Sequence, residues 1–482
     1  MTELPTGQRV LVAGLGISGA AAARVLLARG HEVALTDAAE PAVVAELVAA
    51  GARWLGPLDA PPEDTDLVVT SPGWRPDSPL LLAAAAHGLE VIGEPELAWR
   101  LRSGGPDGAA PWYAVTGTNG KTTTVTMLEA VLTAGGLRAV AAGNVGRPLV
   151  EVVTATDADG RPAYDAIAVE LSSFQLHWSS SIAPAAAAVL NVADDHVDWH
   201  GSFEAYRDAK AQLLRLAPVA VADAGDPVAS AVVARHRHPV TVTLDEPARG
   251  QLGVRAGALV DRAFADAPAG EVLVEIDALQ VRGPHNTVNA LAAAALARVA
   301  GLDAAAIGRG LAGFRGGAHR NVLVGSVDGV DFVDDSKATN PHAAGASLAA
   351  YPRVVWIAGG LLKGADVDPL VAAVAPRLAG VVLLGRDREQ LARSLARHAP
   401  TVPRTVVPSG DHGAVAAAGT TAAAGTGEPE GDRVMREVVA AAVALARPGD
   451  TVLLAPAAAS MDVFTDYAHR GRAFAAAVRA LG

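Results

Sequence analysis

The chain has 482 residues and a formal net charge of -12, which is too long for one ordinary core and predicts three domains. The acidic balance argues against an extended nucleic-acid surface, because phosphate backbones are held by basic patches. Cysteine is absent, which excludes disulfides, zinc thiolate sites and thiol nucleophiles and fits a cytoplasmic location.

The longest apolar run, Val10 to Ala28, contains three glycines and Arg24 and follows no positively charged segment. Neither membrane insertion nor a signal peptide is expected. Instead RVLVAG reads as a strand, the glycine turn leads into an alanine-rich helix, and EVALTD is a second strand. The stretch GLGISG, Gly14 to Gly19, fits G-x-G-x-x-G in the right context, with Asp37 at the end of the second strand. It suits a nicotinamide dinucleotide, another diphosphate ligand, or merely tight packing. DLVVTSPG, closed by Gly73, and EVIGEPEL continue the alternation until the polar stretch Ser103 to Ala110. A first, Rossmann-like domain is therefore expected over 1–108.

A second α/β block opens with WYAVTG and runs into VTGTNGKTTT, Val115 to Thr124. Strand, Gly-Lys-Thr triplet and helix come in the order of a phosphate loop, although Val115 stands where the Walker A pattern has glycine. Gly117 and Gly120 let backbone N–H groups wrap phosphate, Lys121 can reach the outer oxygens, and Thr122 can help hold Mg²⁺. Two further strands end in metal-capable groups: Glu170 in VELSSFQL, and His196 in LNVADDH after Asp194 and Asp195. Either is more often a surface residue when met alone, but their convergence beside a phosphate loop points to a metal site. Lys210, in SFEAYRDAKAQLL, is either a solvated helical lysine or a neutral amine that has captured CO₂ as a carbamate. Residues 251–281 alternate in short runs, as an antiparallel patch would, and HNTVNALAAAALARVAG is a long helix. The glycine-rich GFRGGAH, Gly313 to His319, marks the second boundary. The central, P-loop ATPase-like domain is expected over 109–316.

The remainder, 317–482, reads as a third, Rossmann-like α/β domain. DDSKATN, Asp334 to Asn340, gathers polar groups after a strand, and Lys363 and Ser460 lie near other strand ends. The Ala/Gly/Thr stretch His412 to Gly431 reads as a surface loop without chemistry.

Together these motifs resemble the Mur ligase family, ATP-dependent enzymes that form amides on the peptide stem of peptidoglycan. The resemblance spans the whole chain in the family order of UDP-binding, ATP-binding and amino-acid-binding domains. That family's loop reads G-T-N/H-G-K-T-T and lacks the first Walker glycine too. The DSKATN element is similar to that of members that add D-glutamate to UDP-N-acetylmuramoyl-L-alanine. DYAHRG, Asp466 to Gly471, resembles a loop of the members that add the third residue, but lies outside that context and is read as coincidence.

The resemblance implies ATP and Mg²⁺ as cofactors, no nucleic-acid partner and a monomer. It places ATP at Gly117, Thr118, Asn119, Gly120, Lys121, Thr122 and Thr123, with Asn286, Asn289, Arg320 and Asp335 on the adenosine side. Metal ions would be held by Thr122, Glu170, His196 and a carbamylated Lys210. Ile17, Ser18, Asp37, Gly73 and Asn144 would hold the UDP-sugar, and Lys337, Thr339, Lys363, Ser460 and Tyr467 would surround D-glutamate. Catalysis would fall to Lys121, Glu170, His196, Lys210 and Lys337. Leu361 and Leu362 depart from the family's GG-x-x-K segment, where relatives often carry aspartate. A sister ligase for another amino acid and a nucleotide-dependent regulatory protein are the alternatives.

Overall fold

A computed structural model describes residues 4–102, 108–409 and 429–482. Residues 103–107 of the first predicted boundary and 412–428 of the predicted surface loop lie outside the described residues. By their contacts the residues form two compact units, Met1–Ala278 with Val288–Gly313, and Leu279–Thr287 with Phe314–Gly482.

The first unit begins with a five-stranded sheet of β1 (Arg9–Ala13), β2 (Glu32–Thr36), β3 (Arg53–Trp54), β4 (Leu67–Thr70) and β5 (Glu90–Gly93), in the order β3-β2-β1-β4-β5. All pairings are parallel. The apolar runs VLVA and LVVT are wholly buried, as expected of strands covered on both faces. Helix α1 (Ile17–Ala28) buries Ala20 to Ala23, small side chains that let it lie close to the sheet. Strand order reverses between β1 and β4, so Gly14 and Ser71 face each other across the crevice where such sheets bind ligands. Gly14 has φ 90°, and a Cβ there would collide with the Ser71 hydroxyl. Helix α2 (Glu94–Leu101) closes the segment.

A nine-stranded sheet follows: β6 (Trp112–Thr116), β7 (Ala139–Gly143), β8 (Ala166–Glu170), β9 (Ala186–Val189), β10 (Ala220–Asp223), β11 (Pro239–Val242), β12 (Gln251–Arg255), β13 (Ala258–Asp261) and β14 (Glu271–Glu275). Its order is β14-β13-β12-β11-β10-β9-β6-β8-β7. The pairings β12–β13 and β13–β14 are antiparallel, as the alternation over 251–281 predicts. The other pairings are parallel. Beside this sheet run α3 (Lys121–Ala134), α4 (Leu149–Thr154), α5 (Ser173–His177), α6 (Phe203–Ala211) and α7 (Pro284–Val299).

Two glutamates join the first two sheets' layers. Glu94 on α2 is buried, and its Oε1 accepts the Val150 N–H at the start of α4 at 2.8 Å. Burial pushes its carboxyl up to about 7, because a desolvated carboxylate is disfavoured. Glu96, also fully buried, accepts the backbone N–H groups of Ser180 and Ser181 at 3.0 Å each and the Arg100 Nε at 3.0 Å. Trp99 meets the edge of Trp112 with ring centroids 5.0 Å apart.

The second unit carries a six-stranded sheet of β15 (Val322–Val327), β16 (Val330–Asp334), β17 (Val354–Gly359), β18 (Leu378–Leu384), β19 (Arg404–Val406) and β20 (Thr451–Leu454). The order is β15-β16-β20-β17-β18-β19, with only the edge pair β15–β16 antiparallel. Apolar layers fill both faces of this sheet. Helix α8 (Tyr467–Arg479) starts where the Asp466 carboxylate accepts the His469 N–H at 2.6 Å, so this part of DYAHRG is a helix cap. Among the described residues no helix is long and apolar enough to cross a membrane.

Candidate active site

Val115 is fully buried in β6, paired with Glu170 on one side and Ala188 on the other. It belongs to the feeding strand, and the chain turns only at Gly117. The turn ends at Gly120, whose φ of 84° needs glycine and whose Cβ would lie 2.5 Å from Asn289 Oδ1. The loop is fixed from behind: the Thr118 N–H donates to the Asn191 carbonyl at 2.9 Å, and the Asn119 N–H to Asn191 Oδ1 at 2.8 Å. The Thr118 hydroxyl lies 2.9 Å from the Tyr206 hydroxyl and accepts the Ala193 N–H at 3.0 Å. Thr124 on α3 donates to Asn289 Oδ1 at 3.2 Å.

Two lysines meet over this loop. Lys121 Nζ donates to the carbonyls of Gly117 and Thr118, at 2.8 Å each, and Lys210 Nζ donates to the same Gly117 carbonyl at 2.8 Å. Lys210 is buried on the inner face of α6, with its nitrogen 4.5 Å from the centre of the Tyr206 ring. Burial, reinforced by the Lys121 charge, holds its amine well below the ordinary lysine pKa. The solvated-lysine reading is therefore overturned: apolar spacing alone did not reveal that α6 turns this residue inward.

Glu170 is buried at the end of β8. Its Oε2 accepts the Thr122 hydroxyl at 2.7 Å and its Oε1 the Asn144 amide at 2.8 Å. Asn144 thus sits beside the phosphate loop.

His196 occupies a strained αL position, φ 54°, and its ring packs on Phe174 at 4.7 Å between centroids. Burial lowers its pKa. Beside it, His200 bonds Ser173 Oγ through Nε2 at 3.0 Å, and burial together with His177, His196 and Lys210 pushes its pKa down to about 4. These imidazoles stay neutral near pH 7. Among the described residues no three His, Asp or Glu side chains group tightly enough to hold an ion by themselves. The oxygens of Glu170 and Thr122 suit Mg²⁺, which is usually bound by one or two carboxylates together with substrate phosphates.

In the N-terminal crevice a cleft of about 490 Å³ is lined by Gly14, Asp37, Ser71, Gly73, Trp74 and Arg75, among others. Asp37 accepts the N–H groups of Leu15 and Ala38 at 2.7 Å each, so it orders the glycine turn. Ile17 stands exposed at the start of α1, with Ser18 half-buried beside it.

In the second unit Lys337 and Thr339 follow β16, Lys363 follows β17 and Ser460 follows β20. These three strands are neighbours in the sheet, so their carboxyl ends share one edge. Lys337 Nζ lies 3.9 Å from the centre of the Tyr467 ring. The backbones of Leu361 and Ala459 exchange two 2.9 Å hydrogen bonds, which brings the Lys363 and Ser460 loops together. Leu362 is core, and its N–H donates to Asp387 at 2.7 Å. The carboxylate at this segment is thus supplied from the neighbouring strand end. Burial lifts the Asp335 carboxyl to about 6 despite nearby Arg320. Asn286 and Asn289 lie one turn apart on α7, Asn286 donating to the Arg282 carbonyl at 2.8 Å.

Sequence reasoning missed Arg470. It is buried, and its guanidinium donates to the Ser336 hydroxyl, the Ser336 carbonyl and the Ala458 carbonyl at 2.9, 2.7 and 3.1 Å. DYAHRG, through Arg470, is part of the scaffold of the third domain. The signal available was an arginine in the apolar stripe of an amphipathic helix.

A strand, a glycine-turned loop with its lysine, and a following helix define a phosphate-loop protein of the α/β class. Residues 8–93 match the description "Mur ligase MurD-like, N-terminal domain", 115–297 "Mur ligase middle domain" and 319–458 "Mur ligase, glutamate ligase domain". The chain is 52% identical to the UDP-N-acetylmuramoylalanine--D-glutamate ligase of Thermobifida fusca over 98% of this chain and 99% of that one. It is 50% identical to the enzyme of that name from Mycolicibacterium smegmatis over 100% and 98%. The solved MurF from Acinetobacter baumannii shares the fold at a TM-score of 0.58 and 16% identity, over 93% of this chain and 90% of that one. The chain belongs to the Mur ligase family.

Proposed function

We infer that the chain joins D-glutamate to UDP-N-acetylmuramoyl-L-alanine at the expense of ATP, forming an amide in peptidoglycan precursor synthesis. In the structure the supporting observation is the convergence of Lys121 and Lys210 on the Gly117 carbonyl beside Glu170. That arrangement suits phosphoryl transfer, which needs positioning and charge stabilisation more than covalent help.

The acceptor carboxylate attacks the γ-phosphorus, ADP leaves, and an acyl phosphate forms. Lys121 leaves its carbonyl partners and neutralises the phosphate oxygens, while the loop N–H groups cradle them. Mg²⁺, when bound, would add charge neutralisation, with Thr122 and Glu170 as its oxygen ligands and His196 at the margin. The D-glutamate amine then attacks the acyl carbon and loses a proton, and phosphate leaves. Lys337, Thr339, Lys363, Ser460 and Tyr467 are assigned to the amino acid. The crevice at Gly14, Ile17, Ser18, Asp37 and Gly73 is assigned to the UDP group, and Asn144 to the reacting end of the acceptor. Asn286, Asn289, Arg320 and Asp335 are assigned to the adenosine side. The domains are placed at 1–108, 109–316 and 317–482.

Lys210 is assigned as a carbamate. Its buried amine is held well below the ordinary lysine pKa, which favours the neutral form that reacts with CO₂, and the adduct would place an oxygen ligand where the amine now faces Lys121.

An amino-acid panel tests the function. Phosphate release should require ATP, the UDP-sugar acceptor and D-glutamate together. Equal turnover with L-glutamate, L-alanine or diaminopimelate would transfer the chain to a sister activity, and ATP hydrolysis indifferent to both other substrates would leave a regulatory nucleotide binder.

A further inference from the structure

Arg470 lies on α8, one turn beyond Tyr467, and buries its whole guanidinium in the third domain. Every oxygen it holds belongs to the loops at one edge of the sheet. Nη2 and Nε take the Ser336 carbonyl and hydroxyl, and Nη1 takes the Ala458 carbonyl. Ser336 precedes Lys337, and Ala458 lies two residues before Ser460. The Ser336 hydroxyl in turn donates to the Tyr467 carbonyl at 2.8 Å. One side chain therefore ties together the backbones that present Lys337, Ser460 and Tyr467.

A buried cation is a poor choice for packing alone, because desolvation opposes it. Burial lowers the pKa of Arg470 to about 10, and the charges of Asp462 and Asp334 only partly offset this. Its planar fork can hold three acceptors in fixed directions, which an ammonium cannot copy. Gly471, the next residue, admits the His319–Asp334 pair, bonded at 2.6 Å, where a Cβ would collide with both. Helix α8 is thereby seated directly against the DDSKATN turn.

We propose that Arg470 is the positioning residue that sets the geometry, and hence the selectivity, of the amino-acid site. The inference rests on the assignment of Lys337, Ser460 and Tyr467 to the amino acid. It is tested with Arg470→Lys in the full chain, by steady-state kinetics for each substrate in turn and by thermal unfolding. The expected result is a KM for D-glutamate raised on the order of tenfold or more, with the KM values for ATP and the UDP-sugar within about twofold of wild type. Ser336→Ala, which removes only the shared hydroxyl, should shift the D-glutamate KM in the same direction by about threefold and serves if Arg470→Lys does not fold. An unchanged amino-acid KM in a folded variant, or equal increases for all three substrates, overturns the proposal. If the wild-type enzyme prefers another amino acid, the functional reading fails instead, and the same comparison is made with that substrate.

Discussion

Lys121 and Lys210 donate to one and the same acceptor, the Gly117 carbonyl, each at 2.8 Å. Two amines sharing one oxygen cannot both remain comfortably charged out of water. The exchangeable partner is Lys121, which is half-buried on the loop, whereas Lys210 is enclosed by α6. The first can turn its ammonium to incoming phosphate, and burial disfavours the charged form of the second.

Lys210→Ala should therefore lower turnover by at least about 100-fold, since it removes the oxygen ligand that the carbamate assignment supplies. Added bicarbonate, acetate or formate should restore part of the rate by replacing the carbamate oxygens. Wild-type turnover in the variant would remove Lys210 from the mechanism, and complete indifference to all three anions would remove the carbamate.

Replacing Lys121 by alanine should reduce kcat by about 100- to 1,000-fold. Isotope exchange between ADP and ATP in the presence of acceptor reads the first chemical step directly, and an unaltered exchange rate would contradict the role given to this lysine.

Thr118→Val keeps the shape of the loop but strips the oxygen that accepts from Ala193 and meets Tyr206. A buried hydroxyl and a half-buried N–H lose their partner, so unfolding free energy should fall by about 1–3 kcal/mol. Denaturant unfolding of both proteins checks this; equal midpoints would mean that water fills the gap.

How much of this could be read beforehand depended on where the physical signal was local. The phosphate loop was legible because strand, glycines, lysine and helix occupy ten consecutive residues, Val115 to Thr124. The antiparallel edge of the second sheet was equally legible from alternation. Arg470 and Glu94 were not: each is a charged residue in a helix, where a solvated face is the ordinary expectation. Their partners stand 134 and 56 positions away in sequence, and no periodicity reports such a pairing. Asn144 could be assigned beforehand only through the resemblance, since only the β7–β8 pairing brings it to Glu170.

Glu94 makes stability depend on pH in a calculable direction. Its carboxyl titrates near 7 in the native protein against an ordinary value of 4.5, so the folded state binds the extra proton between those limits. The contribution is fully present below about pH 4.5 and is lost as pH rises through 7, at up to about 1.4 kcal/mol per pH unit. Glu94→Gln, which can still accept the Val150 N–H, should flatten that loss. Melting temperatures of both proteins at pH 6 and pH 8 should diverge, with the variant gaining on wild type at pH 8; a constant difference would deny the shift.

The same seam bears on how the chain can be divided. A fragment cut after Arg102 would end with Glu94, Glu96 and Trp99 facing solvent, stripped of the amides and the Trp112 edge that now enclose them. It would expose Trp99, now 9% exposed, together with two carboxyls that have lost their partners. For expression or labelling work, the smallest sensible piece therefore runs through both of the first two sheets.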